Sequence, residues 1–357
     1  MARILFTCGR EPEYTRNDVL LRALRPHHDL VTITDDSAGS LTARSLRLLP
    51  RLVRALRRRD YDLVFIGFYG YLLAPLVRRF TRRPILFDAF VSNYDTLCFD
   101  RRRFAPHSLM GRLAFELDRL GCNSADRVLL DTAAHQDFFV NTFDLSVDKM
   151  RHLFVSCNED LFFPRPFAAG EIFQVLHYSS FLPLHGVEFI LAAAAELQEV
   201  PDIRFRFIGA GMRHDPARRL AQQLGLTNVE FLPPVPYTRL PQEIAAADLC
   251  LGGPFGDTPK AGRIIPGKIF QFLSMARPVV AGDTQGNREL LRDGHDALLV
   301  PAAEPHALAG AILRLQRDRE LAQALAANGH AAYRQRASEA IIGRELENII
   351  ADLLQVV

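Results

Sequence analysis

The sequence predicts an α/β protein built from two doubly wound, parallel-sheet domains and closed by a single returning helix. Three observations carry this expectation. Strand-length apolar runs alternate with helix-periodic segments along the chain. The 357 residues, 48% of them hydrophobic, exceed what one core organises. A break rich in proline and glycine, FFPRPFAAG at 162–170, interrupts the series near its middle.

The first series opens with RILFTC, a helix near Tyr14–Leu24, LVTIT, an arginine-rich helix and DLVFIG. It continues through PILFDA at 84–89, a helix near Ser108–Leu120, RVLLD at 127–131, a helix over 133–140 and RHLFV at 151–155, which makes six strands. The second series runs IFQVLHY, a helix at Val187–Leu197, IRFRFIG, a helix at Pro216–Leu224, NVEF, a helix near Leu240–Ala246 and DLCLGG. A cationic loop follows, then a helix starting at Pro266–Gly267, PVVAG at 278–282, a short turn and helix, and ALLV at 297–300. PVVAG and ALLV are short apolar runs of the kind found in parallel strands covered on both faces. Beyond Val300 only helical patterns remain. The last, Ser338–Leu354, repeats Ile341, Ile342, Leu346, Ile349, Ile350 and Leu353 on one stripe and is expected to pack. The expected domains are 1–166 and 167–335, with 336–357 packing back on the first.

Composition narrows the class. No run reaches the roughly 18 apolar residues that a membrane span needs, and the start, MARILFTCGREPEY, does not read as a signal peptide. Five scattered cysteines without a Cys-x-x-Cys pair fit a reducing compartment, so the expected location is cytoplasmic. Residues 1–165 carry 25 Lys/Arg against 20 Asp/Glu, whereas the net charge is only +2. The basic surplus centres on Thr42–Arg59, where Arg44, Arg47, Arg51, Arg54 and Arg58 share one helical face and Leu49, Leu52 and Leu56 the other. That segment reads either as a surface helix, broken or restarted at Pro50, or as an adhesion site for an anionic membrane on the cytoplasmic face. Nucleic acid is not an expected partner, because the basic face lacks interleaved aromatics.

The strongest chemical signal is PKAGRIIPGK, residues 259–268. Lys260, Arg263 and Lys268 converge on a helix start at Pro266–Gly267, where free backbone N–H groups and the helix dipole already favour an anion. This is a diphosphate cradle. Gly209 and Gly211 end another strand and allow close backbone approach. In the first half, strand ends offer Gly9 and Arg10, the run Gly67–Gly70, Asp88 with Ser92 and Asp95 after it, and Asp131–Thr132. Asp88 and Asp95 are the candidate catalytic carboxylates, to orient or deprotonate an attacking hydroxyl or stabilise positive charge; His107 and His135 are weaker candidate bases. No metal is expected.

Several stretches resemble family 4 (GT4) of the nucleotide-sugar glycosyltransferases, which have the GT-B architecture of two Rossmann-like domains facing across a cleft. They are HYSSFLPLHGVEFILAAAAEL, RFRFIGAG, NVEFLPPVPYTRLPQEIAAADLCLGG and PGKIFQFLSMARPVV followed by RELLRDGHDALLVP, together covering most of 172–310. The resemblance implies a retaining glycosyltransferase that moves a sugar from a UDP-, GDP- or dTDP-sugar to an acceptor hydroxyl of a glycan, a lipid-linked glycan or a small molecule. It implies no required cofactor or metal. It assigns the donor diphosphate to Lys268, Arg263, Lys260, Gly9 and Arg10, and the nucleotide to Gln271, Gly209, Gly211 and the LPPVPY residues Pro234 and Val235. Ser180, His185 and Gly267 fall beside the donor sugar, and Asp88 stands where many members carry an active-site histidine. Two departures stand out. Arg263 and Gln271 occupy the positions of the family's paired glutamates, eight residues apart, and Ser180 with His185–Gly186 replaces a basic Arg and a Lys-Gly pair. A sugar-nucleotide epimerase and a non-catalytic nucleotide-sugar-binding protein are the alternatives.

Overall fold

The computed structural model describes residues 1–10, 12–37, 40–166 and 170–355, with Leu41 and Thr42 described by backbone alone. Packing divides the chain into two units, Met1–Asn158 with Glu339–Val357, and Glu159–Ser338.

The first unit alternates β1 (Arg3–Thr7), α1 (Thr15–Leu24), β2 (Asp29–Ile33), α2 (Leu41–Arg58), β3 (Leu63–Ile66) and α3 (Leu73–Phe80). Then come β4 (Ile85–Asp88), α4 (Leu109–Asn123), β5 (Arg127–Leu130), α5 (Ala133–Phe143) and β6 (Met150–His152). All six strands are parallel in the order β2-β1-β3-β4-β5-β6. The central strands are buried along their length, so both faces are covered, as their unbroken apolar runs require. Between β4 and α4 the chain forms a π-helical turn at Asp95–Asp100, for which the sequence carried no periodic signal.

Pro50 does not break α2. It is exposed, so the backbone bond it removes lies on the solvent side, while Leu48, Leu52 and Leu56 bury against the sheet. The helix starts at Ser40, whose hydroxyl accepts from the Ala43 N–H at 3.2 Å.

The second unit contains β7 (Phe173–Ser179), α6 (Val187–Glu196), β8 (Ile203–Gly209), α7 (His214–Gln223), β9 (Val229–Leu232), α8 (Leu240–Ala245) and β10 (Leu249–Gly253). It continues with α9 (Gly267–Ser274), β11 (Val279–Gly282), α10 (Gln285–Leu290), β12 (Leu298–Val300), α11 (Pro305–Arg317) and α12 (Arg319–Arg336). Its parallel sheet runs β12-β11-β10-β7-β8-β9, so the strand order reverses between β10 and β7. Ligands of open α/β sheets bind at the carboxyl ends of strands beside such a reversal.

Glu159–Pro166 packs with the second unit, earlier than the expected boundary. The Ser274 hydroxyl donates to the Phe162 carbonyl at 2.6 Å, Arg277 donates to the carbonyls of Arg165 and Pro166, and Tyr333 donates to Glu159. Residues 167–169 of the expected linker lie outside the described residues. The last helix, α13 (Glu339–Gln355), packs on α1 through Ile342, Leu346, Ile350 and Leu353. Arg22 pairs with Glu339 at 2.9 Å and His28 with Glu347 at 2.8 Å.

Candidate functional site

In the second unit, the loops after β7 and β10 meet at the strand reversal. Gly186 adopts φ +62°, and a Cβ there would stand 2.4 Å from the Gly256 nitrogen; a Cβ on Gly256 would meet the Pro183 carbonyl at 2.5 Å. Two glycines therefore let the His185 loop lie flush on the loop after β10, fixed by a bond from Gly256 N–H to the Leu184 carbonyl. On the far side, a Cβ on Gly286 would stand 2.8 Å from the Arg263 backbone. The cationic segment is thus held from both sides.

Lys268 sits in the first turn of α9, almost fully buried, and its Nζ donates to the Tyr178 carbonyl at 3.2 Å. Burial lowers its pKa to about 7. The α9 terminus has no side-chain cap and no acidic residue in its first turn, and Gly267 is exposed with nothing within 4 Å of where a Cβ would be. A helix end left open beside a buried lysine is arranged for an anion. His177 and His185 are held well below the usual histidine range by burial and then by Lys268, with Lys260 adding to the effect on His185. Both imidazoles are neutral. Lys260, Lys268 and His185 therefore share one electrostatic environment, and Arg263 closes the same turn with its N–H on the Lys260 carbonyl at 3.1 Å.

Gln271, one turn into α9, is buried; its Nε2 donates to the Tyr237 hydroxyl at 3.2 Å and its Oε1 has no partner among the described atoms. Tyr237 packs edge-on against Phe162, so the LPPVPY loop carrying exposed Pro234 and half-buried Val235 is tied to α9. Ser180 is exposed at the end of β7. Gly209 and Gly211 also meet a steric demand within the unit. At φ +135° and +152°, a Cβ on them would stand 2.0 Å and 1.8 Å from the carbonyls of Ser179 and Ser180. The glycines make room for the β7 loop. Gly9 does likewise, since a Cβ there would meet the Tyr69 carbonyl at 2.1 Å, while Arg10 lies over the rings of Tyr14 and Tyr69.

The first unit gathers charged groups at the carboxyl ends of β4 and β5. Asp88 is fully buried and gripped by Arg16 of α1, whose Nη2 donates to Oδ1 at 3.0 Å and whose Nε donates to Oδ2 at 3.1 Å. The same guanidinium donates to the carbonyls of Leu153 and Phe154. Burial raises the Asp88 pKa, while Arg16 opposes the rise. Asp95 is also fully buried, its N–H donating to Ser92 Oγ at 2.9 Å. Both expected catalytic carboxylates are buried. Next to this cluster, buried Asp131 Oδ1 and His135 Nδ1 lie 2.7 Å apart, and His135 Nε2 has no partner among the described atoms. His107 is exposed in the loop before α4. Tyr69 and Phe90, just past β3 and β4, hold positive φ, the backbone strain common at binding edges.

Sequence reasoning missed Arg16, Asp118, His177 and Tyr237. Asp118 accepts from Ser92 Oγ at 2.6 Å, Asn93 Nδ2 and Tyr94 N–H, and burial raises its pKa to about 6. His177 and Tyr237 lie in stretches that carry the family resemblance but were given no role there, whereas Arg16 and Asp118 sit on helices whose buried polar faces no periodicity marks. An Asp-x-Asp triplet, absent from the sequence expectation, does occur at Asp60–Tyr61–Asp62, but Asp60 and Asp62 serve Arg3 at the amino end of β3. Among the described residues no group of three His, Cys, Asp or Glu is placed to hold a metal. The arginines of α2 are partly engaged: Arg47 pairs with Asp35 and Arg51 donates to the Thr34 carbonyl. No described helix is long and apolar enough to cross a membrane.

Residues 173–318 match the family model described as "Glycosyl transferases group 1". A GDP-mannose-dependent alpha-(1-6)-phosphatidylinositol monomannoside mannosyltransferase of Mycolicibacterium smegmatis is 27% identical over 295 residues, covering 78% of this chain and 73% of that protein. Further bacterial glycosyltransferases match half of this chain or less, and less than half of their own length. The solved structure of HepE from Anabaena in complex with UDP-glucose superposes with TM-score 0.77 at 17% identity, covering 99% of this chain and all of that one. A sucrose-phosphate synthase from Thermosynechococcus elongatus gives TM-score 0.78 at 16% identity, with both chains fully covered. At such identities the structural likeness speaks for the fold.

Proposed function

Because the chain is a glycosyltransferase of the GT-B fold resembling family 4, we propose that the second unit binds a nucleoside diphosphate sugar and the first binds the acceptor. The observation that carries the reading is Lys268, buried at the open terminus of α9 beside Lys260 and neutral His185. An anion with two charges restores what burial costs that ammonium. In this reading Lys268, Lys260 and Arg263 hold the diphosphate, Gln271 Oε1 accepts from a ribose hydroxyl, and the Pro234–Val235 backbone meets the base. His185 donates to the donor sugar as a neutral imidazole.

Transfer breaks the bond between the anomeric carbon and the diphosphate oxygen, and charge grows on that leaving oxygen. Cations fixed beforehand stabilise that charge without reorganising. With retention, the acceptor oxygen enters on the face the diphosphate leaves, and its proton passes to the departing phosphate oxygen. This step uses no protein nucleophile. Asp88 then serves by locking Arg16 under the acceptor edge, and Asp95 by fixing the turn after Ser92. The relative named for a phosphatidylinositol mannoside supports a lipid-linked glycan among the possible acceptors.

Thermal unfolding with a panel of UDP-, GDP- and dTDP-sugars tests the reading. At least one should raise the unfolding temperature, and Lys268→Ala should abolish most of that rise. No stabilisation by any nucleotide sugar would overturn it.

A further inference from the structure

The helix α4 is built inside out. Its buried face is Gly111, Ala114, Asp118, Gly121 and Cys122, while Leu109, Met110, Leu113 and Leu120 point to solvent, with Leu109 82% and Leu113 58% exposed. The small inner residues are demanded by close packing. A Cβ on Gly111 would stand 2.4 Å from the Ala105 carbonyl, and one on Gly121 would stand 2.8 Å from the Tyr71 ring. The leucines have no such explanation, and at this helical spacing they share one outward side with exposed Glu116.

Cations stand at their amino end. Arg101, Arg102 and Arg103 are all exposed in the loop that leads to α4, and Arg112 is exposed on its first turns. The loop is anchored: Arg101 N–H donates to Thr96 O at 2.9 Å, Arg103 N–H to Leu97 O at 2.8 Å, and the Ala105–Pro106 carbonyls press on Gly111. Ser108 caps the helix, its Oγ accepting from Gly111 N–H at 3.1 Å. The nearest acidic group on the exposed side, Glu116, pairs with Arg119. Asp100 and Asp118 are buried.

We propose that the exposed leucines of α4 and the 101–103 arginines form a docking surface for an anionic lipid bilayer, with the leucines entering the interface and the arginines meeting lipid phosphates. Charge complementarity selects this occupant: apolar side chains with exposed arginines at their amino end suit a surface that is apolar beneath and negative above. The helix lies in the interface plane and does not span it. The 101–103 loop directly follows the Asp95–Asp100 turn, which leads off the carboxyl end of β4. The surface therefore adjoins the edge assigned to the acceptor, which places a lipid-linked acceptor within reach of that edge. That last point rests on the proposed function; the docking does not.

The test is co-flotation of the full chain with phosphatidylcholine vesicles, with and without phosphatidylglycerol, at low and high salt. The protein should float only with the anionic vesicles and be released by salt. Arg101→Gln/Arg102→Gln/Arg103→Gln should weaken the partition by roughly a hundredfold, about fivefold for each arginine. Leu109→Gln/Leu113→Gln should abolish it. Both variants should keep the thermal stabilisation given by nucleotide sugar, which certifies folding. Absence of flotation, flotation indifferent to both variants, or a concentration-dependent dimer that only the leucine variant dissolves would each overturn the proposal. Failure of every nucleotide sugar to bind would overturn the donor reading and leave the flotation result standing.

Discussion

Raising the pH past neutrality should strip the donor site of its central charge. Lys268 titrates near 7 in the empty protein, against 10.5 for a lysine in water, because burial disfavours the ammonium. A bound diphosphate returns it towards the ordinary value, so above about pH 7 binding takes up a proton. Affinity then falls by up to a decade per pH unit, which gives roughly a hundredfold, or about 2.7 kcal/mol, between about pH 6 and about pH 9. The same shift has the opposite sign for stability. The unfolded chain holds the proton across the window from about 7 to 10.5, so the donor-free protein gains stability as pH rises through it. Lys268→Met should therefore stabilise the empty protein by up to about 4 kcal/mol at about pH 7 while weakening donor binding. Titration calorimetry with a sugar nucleotide, whose diphosphate does not titrate in this range, reads the first effect, and urea unfolding reads the second. Lys268→Arg should flatten the pH profile, since a guanidinium stays charged. A flat wild-type profile, or an equally steep one in Lys268→Met, would refute the reasoning.

Gln271→Leu should weaken nucleoside diphosphate binding by about 1 to 2 kcal/mol, because it removes a buried acceptor and leaves the Tyr237 hydroxyl without its donor; unchanged affinity by calorimetry removes Gln271 from the site. Asp88→Asn should lower stability by about 3 to 5 kcal/mol by leaving Arg16 buried without its charge partner. Lost turnover with a normal urea midpoint would instead make Asp88 a reacting group. Gly211→Ala should destabilise the second unit, since its methyl meets the Ser180 carbonyl at 1.8 Å, and an unaltered unfolding temperature would exclude that packing role. Nucleoside diphosphate should bind within a few-fold of the intact sugar nucleotide, because neither motif position offers a carboxylate to sugar hydroxyls. A competition assay in which the sugar adds more than about 1.5 kcal/mol would contradict this.

The succession of strands and helices in both units was legible because short strand-like runs alternate with helix-periodic segments, whereas the lateral order of the strands comes from the structure. The cationic helix start proposed to hold the diphosphate drew attention in the sequence because cations beside a Pro–Gly helix start have little other use. What escaped is pairwise. Asp88 reads as a free strand-end carboxylate until Arg16, 72 residues earlier, is seen to occupy both its oxygens. Gly209 and Gly211 read as room for a ligand, and the structure adds that the Ser179 and Ser180 carbonyls stand where a Cβ on either would be. Spacing along the chain carries no record of either partner. The arginine-rich α2 misleads in the other direction, because its moment is large but its leucines are spent on the sheet. The outward leucines of α4 carry a weaker pattern and a stronger surface.

The two units divide the chemistry by how they treat charge. In the first, buried Arg16 and Asp88 satisfy each other, and Asp118 spends its oxygens on Ser92, Asn93 and Tyr94. Such pairs stiffen an edge and leave little for a ligand to gain. In the second, Lys268 is buried with the Tyr178 carbonyl as its hydrogen-bond partner and two neutral histidines near it, at a helix end that already favours anions. Folding alone does not compensate that charge, so the free energy withheld there is available to the diphosphate when it arrives. Replacing the family's glutamates by Arg263 and Gln271 extends the same logic, since a carboxylate at either position would have met part of the lysine's need in advance. In the proposed reading, such a site grips the diphosphate by charge and reads the sugar through neutral hydrogen bonds.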